Sequence, residues 1–215
     1  EGRGFYFPCD TAVGKDGRLY TANRSVDIDH RGVRVTAYDL ESEFFGTFGS
    51  YGEGDGQFIS PTALAVDSLD RVYLSDEYTH RISVFDSQGA FLARWGAHGD
   101  SPGELDSPSG IALDGDDNLY IADHRNHRIQ KFTGEGRFLL GFGSEGPGEG
   151  RLSLPWGLTV GANGDVYVAD WGNDVIQRFS PDGEFLGEYG SPGKGDGQLR
   201  RPSSVAVDLE GFIYV

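Results

Sequence analysis

A period of 47 residues runs through most of the sequence and constrains its fold more than any other feature. One proline recurs at this interval: Pro61, Pro108, Pro155 and Pro202. One tyrosine keeps the same interval: Tyr73, Tyr120, Tyr167 and Tyr214. An earlier repeat starts with Pro8 and holds six additional residues between Tyr20 and Arg34. Because these positions recur together, we predict a chain built from copies of one supersecondary unit.

Each repeat has the pattern of four short β-strands. In the second repeat, β-branched, aromatic and small apolar residues occupy 63–67, 71–75, 81–85 and 90–95, with turn-forming residues between these segments. Glycine and Asx residues at the links tolerate the positive φ that tight hairpins need. Four consecutive antiparallel strands in a repeat of this length are typical of a propeller blade. We therefore predict an all-β fold, a β-propeller of four-stranded antiparallel blades.

The repeats divide the sequence into four complete blades and part of a fifth. Their approximate bounds are 5–57, 58–104, 105–151, 152–198 and the partial 199–215. One blade cannot bury both of its faces, so neighbouring blades must pack on one another. We therefore predict a single, incomplete propeller domain over 1–215, and we expect the sequence to be a fragment of a longer protein.

The composition agrees with this fold and disfavours two classes of partner. Glycine contributes 34 of 215 residues, which disfavours helices, while an aromatic fraction of 13% disfavours disorder. The 34 acidic and 18 basic residues give a net charge of −16, which opposes binding to nucleic acid or to an anionic membrane surface. No apolar run is long enough for insertion into a bilayer. Cys9 is the only cysteine and leaves the compartment open, with an extracytoplasmic one favoured.

The best-defined motif lies in the third repeat. It runs Pro-Ser-Gly-Ile-Ala-Leu-Asp over 108–114 and Leu-Tyr-Ile-Ala-Asp-His-Arg-Asn-His-Arg-Ile over 119–129. Related motifs begin at Asp76 in the second repeat and at Asp170 in the fourth, where Val175 replaces the arginine. These residues resemble the NHL-repeat family of β-propellers over essentially the whole chain. The resemblance implies six blades in the full protein, and either an interaction scaffold or a propeller lyase.

Aspartate and arginine recur around the turn between the second and third strands. The residues are Asp76, Arg81, Asp123, Arg128 and Asp170. A carboxylate at such a turn caps loop amides, and an arginine five residues later reaches back across the turn. Because a catalytic group seldom needs one copy in every blade, we assign these residues to the structure of the blade corners.

Residues that break the repeat are better candidates for function. They lie in the loops between the second and third strands and directly after the repeat proline: Tyr78, His80, His124, Arg125, His127, Trp156 and Trp171. The first repeat adds an enlarged loop over 24–31. Both sets of positions emerge at one face of a propeller, where aromatic and imidazole groups suit a ligand or a partner. The alternative is a solvated loop surface with scattered aromatic residues.

Metal binding is a separate question, because imidazoles are common zinc ligands. The candidates are His80, His124 and His127, but loops that radiate from a propeller axis give no reason for their convergence. The segment 114–118 resembles part of a calcium loop, yet it lacks the downstream glutamate and fits a hairpin turn. We predict no catalytic residue, no cofactor and no metal site, with zinc or calcium as the alternatives.

Two functions remain. The first is a non-enzymatic scaffold that binds a protein or an extended ligand through its loop face, as a subunit or domain of a larger assembly. The second is a propeller lyase of the amidating or streptogramin type. In the amidating lyases that the resemblance brings in, a zinc-binding histidine follows the blade proline in some repeats. The corresponding residues here carry no imidazole: Cys9, Thr62, Ser109, Trp156 and Ser203. The lyase alternative therefore places metal and catalytic residues in blades beyond this sequence.

Overall fold

The computed structural model describes residues 5–25, 30–41 and 43–215. These residues form a succession of β-strands, with a single-turn 3-10 helix, η1 (His124–Asn126), between two of them. The chain divides into two compact units, Glu1–His98 and Gly99–Val215. The enlarged loop expected over 24–31 lies partly outside the described residues, which do not include 26–29. Within the described ranges, no helix is long and apolar enough to cross a bilayer.

The first compact unit holds two four-stranded antiparallel sheets, the first and second blades. The first blade contains β1 (Pro8–Val13), β2 (Leu19–Asn23), β3 (Arg34–Tyr38) and β4 (Phe44–Phe48). The parallel pair β5 (Ser50–Tyr51) and β6 (Gln57–Phe58) leads to the second blade. That blade contains β7 (Pro61–Val66), β8 (Val72–Asp76), β9 (Arg81–Phe85) and β10 (Phe91–Trp95). In both sheets, strands that are consecutive in the chain are neighbours.

The second compact unit holds the third and fourth blades and one further strand pair. The third blade contains β11 (Pro108–Leu113), β12 (Leu119–Asp123), β13 (Arg128–Phe132) and β14 (Phe138–Phe142). The fourth contains β15 (Pro155–Val160), β16 (Val166–Asp170), β17 (Val175–Phe179) and β18 (Phe185–Tyr189). An antiparallel pair, β19 (Ala206–Val207) and β20 (Ile213–Tyr214), follows.

The prediction of four-stranded antiparallel blades is confirmed, with shifts of one or two residues at strand ends. In the second blade, β7 begins at Pro61 and not at residue 63, because Pro61 pairs with Asp76 at the end of β8. Proline is compatible with the first position of a strand, where no ladder N–H is required. A shift of register between Pro61 and Ala63 follows, and the first strands of the third and fourth blades show a comparable shift. The start of the first strand therefore lies beside the end of the second in these blades.

The core of the first unit lies between its two blades. Tyr20 and Val35 of the first blade pack in one buried cluster with Leu64, Val72 and Phe85 of the second. Burying a side chain of this size contributes about 1.5–3 kcal/mol relative to leaving it exposed. The alternation of apolar residues along each strand thus supplies one packing face to the neighbouring blade.

The second unit repeats this arrangement. Tyr120 and Ile129 of the third blade are buried together with Leu152, Val166 and Phe179 of the fourth blade and the segment that precedes it. A smaller buried cluster joins the fourth blade to the last strand pair. The same apolar positions therefore form the core at successive blade-to-blade interfaces of this unit.

Two glycines allow the first strands of neighbouring blades in the second unit to approach closely. A Cβ on Gly110 of β11 would lie 2.6 Å from the carbonyl oxygen of Trp156, and a Cβ on Gly157 of β15 would lie 2.5 Å from that of Ser203. Neither distance leaves room for a side chain against rigid backbone. In this unit, β11 and β15 are consequently held against the backbone that lies one repeat further along the chain.

At two of its positions, the tyrosine that marks the period also joins neighbouring blades, whereas the Tyr73 hydroxyl donates to Asp67 of its own blade. The Tyr20 hydroxyl donates to the carbonyl oxygen of Ser87 at 3.2 Å in the first unit. The Tyr120 hydroxyl donates to that of Pro181, also at 3.2 Å, in the second. Both acceptors lie in the turn between the third and fourth strands of the next blade. Apolar burial of the ring and one hydrogen bond to the next blade together account for Tyr20 and Tyr120.

Candidate functional site

The corner of a blade is the turn that joins its second and third strands, and a buried aspartate organises the corner of the third blade. Asp123, at the end of β12, has no exposed surface. Its carboxylate accepts hydrogen bonds from Asp106 N (2.6 Å), Asn126 Nδ2 (2.9 Å), Arg128 Nε (2.7 Å) and Gln130 Nε2 (2.9 Å). These donors come from the segment before β11, from η1 and from β13. The carboxylate therefore holds three segments of chain together.

Asp170 forms the corresponding corner of the fourth blade. It accepts from Ser153 N at 2.7 Å, Asn173 Nδ2 at 2.7 Å and Gln177 Nε2 at 2.8 Å. Val175 stands where the third blade has Arg128, so no guanidinium reaches this carboxylate from that position. The corner consequently depends on uncharged donors.

The corners of the first unit differ in detail. Asp76 accepts from the backbone N–H groups of Ile59 (2.8 Å), Ser60 (3.0 Å) and Tyr78 (3.0 Å). Arg81 pairs with Asp76 in the β8–β9 ladder, but its Nη2 donates to the carbonyl oxygen of Gln57 at 3.0 Å. In the first blade, Asn23 accepts from Tyr6 N at 3.1 Å and donates to Thr36 Oγ1 at 3.2 Å. The corner is thus built around a side-chain acceptor in each blade, with or without a negative charge.

Burial raises the pKa of the carboxyl groups of Asp123 and Asp170 above the ordinary aspartate value. The hydrogen bonds that they accept act in the opposite direction, as does the Arg128 charge beside Asp123. Because the donors around these carboxylates belong to the turn and to the neighbouring segments of the chain, the carboxylates are suited to stabilising the blade corners.

Two buried glutamines complete these corners and were not singled out from the sequence. Gln130 on β13 and Gln177 on β17 are buried and donate to Asp123 and Asp170. A detectable signal exists, since both are polar residues within apolar strands, 47 positions apart and seven after the aspartate. The second blade has Ser83 at this position, and its hydroxyl is buried without a hydrogen-bond partner within the described ranges.

The structure directs His124 and His127 to the start of the next blade. His124 Nδ1 lies 3.1 Å from the carbonyl oxygen of Pro155, and its ring meets Trp156 edge to face with centroids 4.9 Å apart. His127 has a φ of 54° and its Nδ1 accepts the N–H of Leu154 at 3.2 Å. An imidazole that accepts through Nδ1 in its neutral form carries its proton on Nε2. Both rings therefore fasten the third blade to β15 or to the residue before it.

Asp174 shows that this role of His127 belongs to the fold. It occupies the same position one repeat later, has a φ of 60°, and accepts the N–H of Arg201 at 2.6 Å. Both acceptors reach an N–H that is 27 residues further along the chain. A histidine and an aspartate thus accept the equivalent backbone hydrogen bond in consecutive blades.

The candidate aromatic residues are partly brought together. In the second unit, Trp156 contacts His124, Trp171 lies under the guanidinium of Arg201 at 4.7 Å, and Arg125 of η1 is exposed. In the first unit, Tyr78 and His80 belong to the loop between β8 and β9, and Tyr78 is 62% exposed. The end of the second unit that carries its blade corners therefore combines two tryptophans with exposed or stacked arginines.

The residue after the repeat proline ties neighbouring first strands together. Cys9 Sγ lies within hydrogen-bond distance of the carbonyl oxygens of Ala22 (3.4 Å) and Pro61 (3.3 Å), either of which can accept its single S–H. Ser109 Oγ lies within hydrogen-bond distance of the carbonyl oxygens of Ala122 (3.3 Å) and Trp156 (2.8 Å). Desolvation of the sulfur raises the pKa of the Cys9 thiol to about 11, although the residue as a whole is exposed. Cys9 therefore carries a protonated thiol at neutral pH, which disfavours a nucleophilic role.

Asp114, in the segment that resembles a calcium loop, makes the contacts of a hairpin turn. Its carboxylate accepts from Asp116 N at 3.0 Å and Asn118 N at 2.9 Å, and it pairs with Lys131 Nζ at 2.9 Å. Burial opposes ionisation, but the lysine and these donors hold the pKa of Asp114 below its usual value. A cation at this position would have to displace the Lys131 ammonium group.

Comparison with known proteins gives a family and a fold. The NHL repeat model matches residues 58–85, 105–132 and 152–179. No curated protein matches the sequence.

Solved structures similar to this chain are propeller proteins that include enzymes. A streptogramin B lyase superposes with a TM-score of 0.71 at 16% identity, covering 97% of this chain and 61% of that one. A virginiamycin B lyase from Staphylococcus aureus gives 0.66 at 15% identity, covering 99% and 70%. A gluconolactonase from Xanthomonas campestris gives 0.67 at 21% identity, covering 94% and 65%.

At these identities the similarity establishes the fold, and the chain spans about three fifths of the streptogramin B lyase chain. The resemblance seen in the sequence motifs is confirmed by the three matches to the repeat model. The chain therefore contains three segments that match the NHL repeat, and its four-stranded blades have the architecture of a β-propeller.

Proposed function

We propose that this chain is a non-enzymatic binding module that holds a protein segment or another extended ligand at the corner end of its second compact unit. The residues that would contact the ligand are His124, Arg125, Trp156 and Trp171. The observation that carries this proposal is the edge-to-face packing of Trp156 on His124, with centroids 4.9 Å apart, next to the exposed Arg125.

Rigid support favours binding at this end of the unit. The backbone that carries Arg125 is fixed, because its N–H donates to the carbonyl oxygen of Asp106 at 3.1 Å and the adjacent Asp123 binds four donors. Exposed loops on a rigid scaffold are common binding elements. Because these loops are already ordered, binding of a ligand would cost little conformational entropy of the protein.

The residue types also favour binding. Tryptophan and arginine are enriched among the residues that dominate binding energy at interfaces. Trp156 and Trp171 are both half-buried, so each has an exposed part that a ligand could cover. Arg125 is exposed and Arg201 stacks on Trp171, so each offers a guanidinium group to which a ligand carboxylate could bind.

Selection of peptides on the full chain tests the proposal. Random peptides displayed on phage would be selected on the immobilised protein, and the affinities of the selected peptides would be measured by calorimetry. We expect Trp156→Ala and Arg125→Ala each to weaken binding at least about tenfold, which corresponds to about 1.4 kcal/mol. Tyr189→Ala is the matched control, since it removes a partly exposed aromatic residue from β18, the fourth strand of a blade in the same unit.

Circular dichroism would establish that each variant is folded. The proposal would be contradicted if the selected peptides bound Trp156→Ala and Arg125→Ala with unchanged affinity. It would also be contradicted if the selection enriched no peptide.

A lyase or lactonase function is the alternative, and the similarity to streptogramin B lyase and gluconolactonase structures favours it. That argument rests on shared fold, which many unrelated activities use. Opening of a streptogramin B or of gluconolactone by this chain would support the alternative and would contradict a purely binding role.

A further inference from the structure

Two histidines of the first compact unit lie side by side. His80 stands at the end of the loop between β8 and β9, and His98 follows β10. Their ring centroids are 4.3 Å apart and the ring planes are inclined by 49°. One ligand nitrogen of each ring lies within 4.8 Å of the other. The chain therefore brings two imidazoles to one place from segments 18 residues apart in the sequence.

This pair does not recur in the other blades. One repeat later the two positions hold His127 and Glu145, and two repeats later they hold Asp174 and Pro192. The acceptor role of the first position is shared by His127 and Asp174, which each accept a backbone N–H. At the second position, His98, Glu145 and Pro192 are three different residue types, so the imidazole there is specific to the second blade.

His80 lies on a fixed loop, whereas the side chain of His98 can rotate. The two rings can therefore adjust to a shared ion. His80 has a φ of 55°, and the loop before it is fixed by the N–H groups of Tyr78 and Thr79, which donate to Asp76 at 3.0 and 3.3 Å. His98 is exposed, so rotation about its side-chain torsions can move its ring. Metal–nitrogen bonds are about 2.0–2.1 Å long, and side-chain rotation of His98 allows its ligand nitrogen to adjust to that length.

We propose that His80 and His98 bind one divalent transition-metal ion of the borderline class, such as Zn²⁺, Ni²⁺ or Cu²⁺. Neutral imidazole is a preferred ligand for these ions, whereas Ca²⁺ and Mg²⁺ prefer oxygen. Two protein nitrogens leave further coordination positions for water or for a donor group of a bound molecule.

Calorimetric titration of the chelator-treated full chain with ZnCl₂ and with NiCl₂ at pH 7.5 tests the proposal. We expect one ion per chain, with His80→Asn and His98→Gln each lowering the affinity at least about tenfold. Asparagine is chosen at position 80 because it tolerates a positive φ. His30→Asn is the matched control, since His30 also has a positive φ in the first unit and stacks on Tyr51. Thermal unfolding without metal would show that the variants are folded.

Proton competition provides a second readout. Imidazole must be neutral to bind a metal, so the Zn²⁺ affinity is expected to fall as the pH is lowered from 7.5 to 5.5. Three results would overturn the proposal: no Zn²⁺ or Ni²⁺ binding by the wild-type chain, unchanged affinity in both His80→Asn and His98→Gln, or CaCl₂ binding as tight as that of ZnCl₂.

Discussion

The corners of the third and fourth blades each hold a buried aspartate, but only the corner of the third blade has a cation beside it. Both have a buried aspartate that accepts from a backbone N–H, an asparagine and a glutamine. Only the third blade adds Arg128, which also donates to the carbonyl oxygens of Asp100 (2.7 Å), Ser101 (3.0 Å) and Glu104 (2.9 Å). Val175 occupies its place in the fourth blade and is buried.

This difference separates what a corner requires from what reinforces it. In the fourth blade, Asn173 and Gln177 reach the crossing segment before β15, at Gly146 O (3.0 Å) and Arg151 O (2.5 Å). Asn126 and Gln130 make the equivalent contacts in the third blade, at Gly99 O (2.8 Å) and Glu104 O (2.6 Å). The amides are therefore the common device, and the arginine adds a second set of bonds between the corner and the crossing segment.

Removal of the cation should have the largest effect. Arg128→Ala leaves the Asp123 charge buried beside uncharged donors only and breaks three bonds to the crossing segment, so we expect a loss of about 3 kcal/mol in the free energy of unfolding. Val175→Ala at the equivalent position removes only apolar contacts and should cost about 1 kcal/mol. Urea denaturation followed by circular dichroism measures both values. Arg125→Ala, three residues earlier and exposed, is the control, and equal losses for Arg128→Ala and Arg125→Ala would contradict this prediction.

Neutralising each aspartate should destabilise the third blade's corner more than the fourth blade's corner. Asp123→Asn removes the charge that Arg128 pairs with, and we expect a loss of about 2 kcal/mol. Asp170→Asn affects only uncharged donors and should cost about 1 kcal/mol. The two variants would be compared by thermal and urea unfolding under the same conditions. A larger loss in Asp170→Asn than in Asp123→Asn would show that the arginine does not distinguish the corners.

The acceptors at positions 127 and 174 can be exchanged. His127→Ala removes the acceptor of the Leu154 N–H and places alanine at a positive φ, which together should cost about 1–2 kcal/mol. His127→Asp copies the residue of the next blade and should stay within about 0.5 kcal/mol of the wild type. Chemical denaturation of both variants provides the measurement. Equal destabilisation by alanine and aspartate would mean that the acceptor is unimportant.

Acid should produce the smallest and most specific effect. Burial raises the pKa of Asp170 in the folded state, so the folded chain binds a proton at this site more readily than the unfolded chain does. At neutral pH the ionised carboxylate is therefore less favourable in the folded chain than the protonated carboxyl group would be, and this penalty fades as the pH falls through the raised pKa towards the ordinary value near 3.9. The stability of the wild type relative to Asp170→Asn should consequently increase over this range, as measured by urea denaturation at a series of pH values. A difference that stays constant would contradict the raised pKa.

The fold was predictable from the sequence to within one or two residues at strand ends. Alternating apolar residues and Asx-Gly turns act locally, so they mark β8 and β9 without knowledge of the rest of the chain. The recurring aspartates were recognisable in the same way. The roles of Gln130 and Gln177 are not predictable in this way, because a polar residue in a short strand is ordinarily assigned to the solvent face.

The contacts of the histidines were not predictable. His124 and His127 are three residues apart in the sequence, which by itself fits a shared metal ion as well as two separate contacts. The structure separates their roles, because Pro155 and Leu154 of the next blade present a carbonyl oxygen to one ring and an N–H to the other. The pair formed by His80 and His98 went unrecognised because their spacing is not that of a metal motif.

The sequence by itself determined a period of 47 residues, four-stranded blades, and the residue types at each corner, since these follow from local pattern and from repetition. The tertiary structure alone decided which side chains meet across blades and crossings. Contacts such as His127 with Leu154, or Arg128 with the crossing segment, join residues 24 to 28 positions apart in the chain. Their distances depend on how strands pack and on where each crossing returns, which no local pattern specifies.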